Sequence, residues 1–218
     1  MNATTPQALG QLRALLTGRA LPYTRPGSLS AIAKEPRSGP VDVGALGLEG
    51  DEQGDPRVHG GPDKAVHCYA FSQYAPWRQE LADNATAQAL LAQPGAFGEN
   101  FSLDGINESQ VCLADQWQVG SARFEVSQGR QPCWKLNDRF GVADMARRVQ
   151  DTGRTGWYLR VLRPGRLGVG DALQLRARPH PAWPLARLLA EPALPATTAQ
   201  PAAGCDDNGC LRPDMPQP

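Results

Sequence analysis

Between Ser28 and Pro179 the chain runs in short apolar segments, broken every 8 to 15 residues by Gly, Pro, Asp or Asn. In order they are SLSAIAK, PVDVGALGL, AVHCYAF, ENFSL, QVCLADQWQVG, ARFEVSQ, WYLRVLRPG and DALQLRARP. Apolar and polar residues alternate from Arg123 to Ser127 and from Trp157 to Leu162, as they do when a strand buries one face and wets the other. Many such segments separated by turn residues predict a strand-rich barrel or sandwich. Two stretches follow a longer period. Phe71 to Leu91 carries Tyr74, Trp77, Leu81, Ala85 and Leu90 at roughly helical intervals, and Asp138 to Thr152 carries Phe140, Val142, Met145 and Val149. Upstream, Leu9, Leu12, Leu15 and Leu16 also recur near helical spacing, which predicts a short amphipathic segment packed on the domain's edge. The expected fold is mainly β with peripheral helices.

Length sharpens this picture, because 218 residues suffice for one well-buried core with extensions but not for two full-sized enzyme domains. The expected division is an N-terminal extension over 1–26, a β-barrel domain over 27–183, and a short helical remnant with a tail over 184–218. In residues 192–218 Pro, Ala, Thr and Gln dominate and large apolar side chains almost vanish. Such a segment cannot offset the entropy of ordering, so a disordered tail is expected. No repeat of 20 to 50 residues is visible. Lys plus Arg equal Asp plus Glu at 22 each, which argues against a global basic field for nucleic acid and makes any anion site local. No apolar run reaches membrane-spanning length, and MNATTPQALGQLRALL lacks the order of a signal peptide; the expectation is a cytoplasmic protein without a membrane. Five cysteines without regular spacing do not form a secreted disulfide framework. Cys68 and Cys112 fall in strand-like segments and read as core, while Cys205 and Cys210, in CDDNGC, would make a poor closed metal site on a flexible chain.

The densest chemical signal is Ser127 to Leu136, SQGRQPCWKL, directly after a predicted strand. Cys133 follows Pro132 in a loop punctuated by Gly and Pro, between Arg130 and Lys135. That positive field favours the thiolate, the form a soft metal ligand needs. A buried structural cysteine beside two solvated bases fits the same local sequence. The second signal is Gly50 to His67, GDEQGDPRVHGGPDKAVH. Gly60 and Gly61 let backbone N–H groups approach an anion, and His59, Lys64 and His67 add charge or donors; an elaborate turn would use the same residues. FGENF (97–101) and TGRTGWYLR (152–160) again set glycines and polar groups before strands, the latter with Arg154 and Arg160. Several such loops at strand ends can form one rim for an anionic cofactor.

At these residues the chain resembles a MOSC-domain protein, the domain named for the C-terminal part of molybdenum-cofactor sulfurase, and within it the bacterial N-hydroxylaminopurine-resistance group. The resemblance rests on five ordered pieces, SAIAK, GLEGDEQGDPRVHGGPDKAVH, FGENFS, SQGRQPCWKL and TGRTGWYLRV, over roughly residues 27 to 183. It implies a MOSC β-barrel, a molybdenum–pterin cofactor, and reduction of N-hydroxylated bases and related compounds to amines. It puts the metal-ligand cysteine at Cys133, His59, Lys64 and Arg130 at the cofactor rim, and Arg154 and Arg160 beside them; Gly60, Gly61 and Lys135 join the expected cofactor-binding set from the local reading above. Position 129 is Gly where the family usually has Pro, which would loosen the loop holding Arg130; position 68 is Cys where a second His is common, and Pro56 precedes Arg57.

On this reading the cofactor supplies redox chemistry and the protein supplies orientation. His59, His67 or Asp51 would relay a proton, and the sequence does not choose among them. No dinucleotide fingerprint or CxxC cluster is present, so electrons are expected from a separate reductase, and no pyridoxal phosphate is expected. Trp134 and Trp157 read either as core aromatics or as stacking surfaces for a purine-like substrate. A homodimer is left open. Two alternatives keep the fold: a carrier of cofactor or of activated sulfur on Cys133, and a non-catalytic barrel whose rim binds another phosphorylated ligand or a protein.

Overall fold

The computed structural model describes residues 7–55 and 60–190, together with the backbone of 205–206 and 209–210. Its strands are, in chain order, β1 (Gln7–Thr17), β2 (Leu21–Pro22), β3 (Leu29–Ser30), β4 (Glu35–Pro36), β5 (Val41–Gly44), β6 (Gly47–Leu48), β7 (Val66–Ala70), β8 (Phe101–Asp104), β9 (Gln116–Val119), β10 (Ala122–Gly129), β11 (Trp157–Arg163), β12 (Gly165–Leu167) and β13 (Ala172–Ala177). Five short helices sit outside them: α1 (Tyr74–Glu80), α2 (Ala85–Leu90), α3 (Lys135–Phe140), α4 (Met145–Asp151) and α5 (Leu185–Ala190).

Seven strands close a barrel in the order β1, β8, β7, β11, β10, β9, β13 and back to β1. Every neighbour is antiparallel except β7 and β8, which run parallel. A parallel pair needs a crossover, and residues 71–100 supply it with α1 and α2. The barrel is filled by the inward residues of its staves, among them Leu12, Phe101, Trp117, Phe124, Trp157 and Leu159. Trp157 meets Trp117 edge-on at 6.1 Å, so it is a core aromatic. A second core, outside the barrel, packs Tyr69, Tyr74, Trp77 and Phe97 against Leu136, Phe140, Met145 and Val149. The two cores explain why helices and strands coexist in so short a chain: the crossover helices α1 and α2 pack with α3 and α4 on one flank of the barrel.

The segment expected as an edge helix is instead β1, a stave of the barrel, so the barrel begins well before residue 27. Its misleading period has a physical origin. The ladder slips between Ala8 and Gly10 and again between Leu12 and Ala14, and each bulge shifts the alternation by one residue. Leu12 and Leu15 therefore both face the barrel core, while Leu16, on the opposite face, is buried outside it against the turn at Gly95, and the three together mimic a helical stripe. The two stretches of longer period are each a pair of short helices. Asn84 caps α2 by accepting from the Ala87 amide at 2.8 Å, which resets the phase, so Ala87 and Leu91 are buried rather than Ala85 and Leu90. Gly141, at φ 63°, ends α3 and separates it from α4. The tail expectation falls on residues outside those described, apart from a backbone pairing of Cys205–Asp206 with Gly209–Cys210. Among the described residues no helix is long and apolar enough to cross a membrane.

Candidate functional site

One cleft lies where the loop after β10 meets the start of β7 and β8, with the segment following β3 as its other wall. It encloses about 590 Å³ including its open mouth, and Lys34, Lys64, His67, Asn100, Arg130, Cys133, Lys135 and Tyr158 line it, with Glu52 the carboxylate among the lining side chains. The chain has only three lysines, and all three are here. Such a concentration of cations in a chain of zero net charge makes this cleft the place where a local anion site would fit.

Local structure delivers each group. Strand β10 ends at Gly129, paired with Trp157, and the next amide, Arg130, donates to the Gly156 carbonyl at 3.0 Å. Gly156 is required where it stands: φ is 74°, and a Cβ there would lie 2.3 Å from the Cys68 carbonyl oxygen and 3.0 Å from His67 Nε2. Arg130 is 6% exposed; its Nη2 reaches the Phe97 carbonyl only at 3.5 Å, and its Nη1 has no partner. Residues 95–98 form a tight turn held from below by the buried Glu99 carboxylate, which accepts from the Gly95 and Phe97 amides at 2.8 and 3.2 Å. Arg139 grips the same turn from outside, donating to the Ala96 and Gly95 carbonyls at 2.9 and 3.0 Å. Gly98 sits at φ 74°, and a Cβ on it would press to 2.7 Å from Ile32.

Beneath the cleft Asp51 is an anchor. It accepts from the Gly18 amide and Asn100 Nδ2, both at 2.8 Å, and pairs with the buried Lys34 ammonium. Burial pulls the Lys34 pKa down, and Asp51 opposes that fall. Asn100 ties three elements, donating to the Leu16 carbonyl at 3.1 Å and accepting from the His67 amide at 3.0 Å. His67 is neutral: burial and then the Arg130 charge hold it well below its ordinary 6.5, although backbone groups of Gly98 and Thr155 temper the fall. Its ring lies 5.2 Å from that of Tyr158, and its Nε2 is unpartnered. Lys135 donates to the Leu29 carbonyl at 2.8 Å and so fastens the β2–β3 hairpin over this end.

The structure thus brings Cys133, Arg130, Lys135, Lys64 and His67 to one cleft, with Asp51 directly behind it. It does not bring the rest. Gly60 and Gly61 lead into a single 3-10 turn, Pro62–Lys64, and do not line the cleft among the described residues. Arg154 turns to the helical flank, stacking 3.8 Å over Trp77 and pairing with Glu80 at 2.6 Å. Arg160 projects from the barrel exterior to Asp63 and Glu125 at 2.9 and 3.0 Å, because its place in β11 alternates with inward Leu159. His59 lies outside the described residues. Trp134 packs beneath Arg25, 3.9 Å away, and beside Tyr23, rather than into the cleft. Lys34, Asn100 and Tyr158 were not singled out from the sequence; each stands within a quoted motif, but a single Lys, Asn or Tyr there carries no local signal of its own. Cys68, Cys112 and Cys133 form no disulfide, and both Cys68 and Cys112 are core residues.

Fold and site together define a seven-stranded closed β-barrel with a basic, thiol-bearing cleft at one end. The chain belongs to the MOSC domain family, whose model matches residues 55–174. Protein YiiM of Escherichia coli (strain K12) is 43% identical over 162 residues, covering 74% of this chain and 70% of YiiM. A protein of Gibberella moniliformis (strain M3125 / FGSC 7600) named "Reductase" is 39% identical over 155 residues, which are 71% of this chain but 27% of that protein. The crystal structure of YiiM from Geobacillus stearothermophilus superposes with a TM-score of 0.68 at 31% identity, covering 84% of this chain and 83% of that one.

Proposed function

We propose that this chain binds a molybdenum–pterin cofactor through the Cys133 thiolate and reduces small N-hydroxylated compounds, N-hydroxylated bases among them, to amines. The observation that carries the reading is Arg130, a cation buried in the cleft wall with one nitrogen unpartnered, on the same cleft as Cys133 and three lysines. A buried charge without its complement is costly, and an anionic group entering the cleft would relieve it. Among the described residues no three His, Cys, Asp or Glu side chains gather as a metal site. The donor set therefore suits a metal that brings most of its own ligands and takes one soft sulfur from the protein.

When bound, the cofactor would supply two-electron oxygen-atom chemistry. Each turnover breaks one N–O bond, consumes two electrons and two protons, and yields amine and water. Cys133 would hold the metal, and Arg130, Lys34 and Lys64 would neutralise the anionic parts of the cofactor and exclude water. Of the proton-relay candidates, Asp51 is committed as an acceptor to three donors, whereas His67 is a neutral imidazole on the cleft wall and can accept or pass a proton. The electrons would come from a separate reductase in the cytoplasm. The Gibberella relative, whose name is "Reductase", supports the redox side of this reading. At 5% exposure Cys133 suits a held ligand better than a sulfur carrier, which needs an accessible thiolate.

The test is expression in a host that makes the cofactor, followed by metal analysis and assay of N-hydroxylaminopurine reduction. The wild type should retain molybdenum and turn over, and Cys133→Ser should lose both by about 100-fold or more. Wild-type protein that is metal-free and inactive under added reductant would overturn the reading.

A further inference from the structure

Four exposed arginines gather on the outer face of the barrel, remote from the cleft. Arg123 on β10 stands opposite Arg163 on β11 and, on its other side, opposite Gln118 on β9, which pairs in turn with Gln174 on β13. Arg176 bridges the far strands, donating to Gln118 and Gln174 at 2.7 and 2.8 Å. Arg163 donates to the Ser121 carbonyl at 2.8 Å, and the backbone of Arg166 is bonded to the same serine. None of the four forms an ion pair with a described carboxylate. The acids bordering the row are engaged elsewhere: Glu125 with Arg160 at 3.0 Å, Asp171 with the Gly168 amide at 2.8 Å.

Like charges facing across a ladder weaken it, and of the Arg123–Arg163 pair only Arg163 has a described side-chain hydrogen bond to the fold, to the Ser121 carbonyl. Two of the exposed large apolar side chains are near these arginines in the chain, Leu162 next to Arg163 and Val169 three residues after Arg166. Arginine together with exposed aliphatic groups, on a face without lysine, is the composition of a protein-docking surface.

We propose that this face docks an acidic electron-donating protein. The inference rests on the reductase reading above, which requires a donor outside the cleft. Reach supports that occupant. Strand β10 runs from the arginine row at Arg123 to the cleft end at Gly129, roughly 20 Å at ~3.4 Å per residue. A standard footprint of about 800 Å² is roughly 30 Å across. A donor that meets the arginines at one side of its footprint therefore also covers Arg160 and comes up to Tyr158, whose side chain lines the cleft. The arginine row offers no aromatic platform for bases, whereas exposed Leu162 and Val169 call for an apolar counterpart.

The experiment drives N-hydroxylaminopurine reduction by the molybdenum-loaded protein in two ways: with dithionite, and with NADPH plus an extract of the expression host as source of donor protein, each at about 20 and about 300 mM salt. The Arg123→Glu/Arg163→Glu double variant should keep the dithionite rate and lose the extract-driven rate by about tenfold or more at low salt. The milder Arg123→Gln/Arg176→Gln pair should lose about threefold in the same arm, and the wild-type extract-driven rate alone should fall with salt. The docking role is overturned if the extract drives no turnover, if charge reversal leaves its rate unchanged, or if every variant lowers both rates equally. Salt-sensitive binding of a mixed-sequence single-stranded oligonucleotide, abolished in the double variant, would reassign the face to nucleic acid and also overturn it. A wild type inactive with dithionite would instead bring down the reductase reading, and the docking role with it.

Discussion

Cys68 and Cys133 are both thiols with almost no surface, at 0% and 5% exposed, yet they occupy opposite chemical settings. Cys68 points into the barrel among Val66, Phe101 and Trp157, where burial pushes its thiol well above the ordinary range and keeps it protonated. Cys133 stands on a cleft wall with three lysines and Arg130. The pleat decides the first case, since β7 aims residue 68 inward; the loop that leaves β10 decides the second. Burial therefore says little about a cysteine's task, and the charge around it says much.

The polar side of this contrast is tested hardest by Asp51→Ala. Removing that carboxylate strands the buried Lys34 ammonium and frees the Asn100 amide, and should cost about 4 kcal/mol in urea unfolding. A cost below about 1 kcal/mol would mean the anchor is not what holds the cleft floor. Exchanging the thiols comes next. Cys68→Ser should lose about 2 kcal/mol, because a hydroxyl replaces a thiol among hydrocarbon, and should keep its metal. Cys133→Ser should do the reverse, melting within about 1 kcal/mol of the wild type while failing to retain molybdenum. If both serine variants behave alike, the distinction between the two settings is wrong.

A smaller effect should appear with pH. His67 holds its proton more weakly in the folded chain than in the unfolded one, so below its ordinary 6.5 the unfolded state takes up a proton that the folded state refuses. The contribution is full above pH 6.5 and is lost as pH falls from there toward the folded value, by at most about 1.4 kcal/mol per pH unit. Melting curves of the wild type and His67→Gln at successive pH values should therefore converge as the solution is acidified below 6.5; parallel curves would show that His67 is not the group responsible. The smallest effect is expected at the hairpin over the cleft. Trp134→Ala removes the surface on which Arg25 and Tyr23 pack, should cost about 1 kcal/mol or less, and should speed chymotryptic cleavage after Tyr23.

Strand character, the two helical stretches and the cleft cysteine were legible because each depends on local chemistry: alternation, helical period, and a thiol between bases. What was hidden depends on register and on distance along the chain. The bulges of β1 made a stave resemble a helix. Arg154 and Arg160 share the composition of cleft residues, but the flank gives the one Trp77 and Glu80, and the pleat of β11 turns the other outward. Conversely Lys34 and Asn100 reach the site through Asp51, a partner 17 and 49 residues away, and no window of sequence contains that triad.

Strand β1 comes first in the chain, yet its two edges are covered by β8 and by β13, which arrives only at residues 172–177. During synthesis on the ribosome the leading strand must wait, one side unsatisfied, until nearly the whole described chain has emerged. A stalled or truncated translation product ending before residue 172 would present an open, apolar strand edge, and quality control would meet it as an aggregation seed rather than as a partly built barrel.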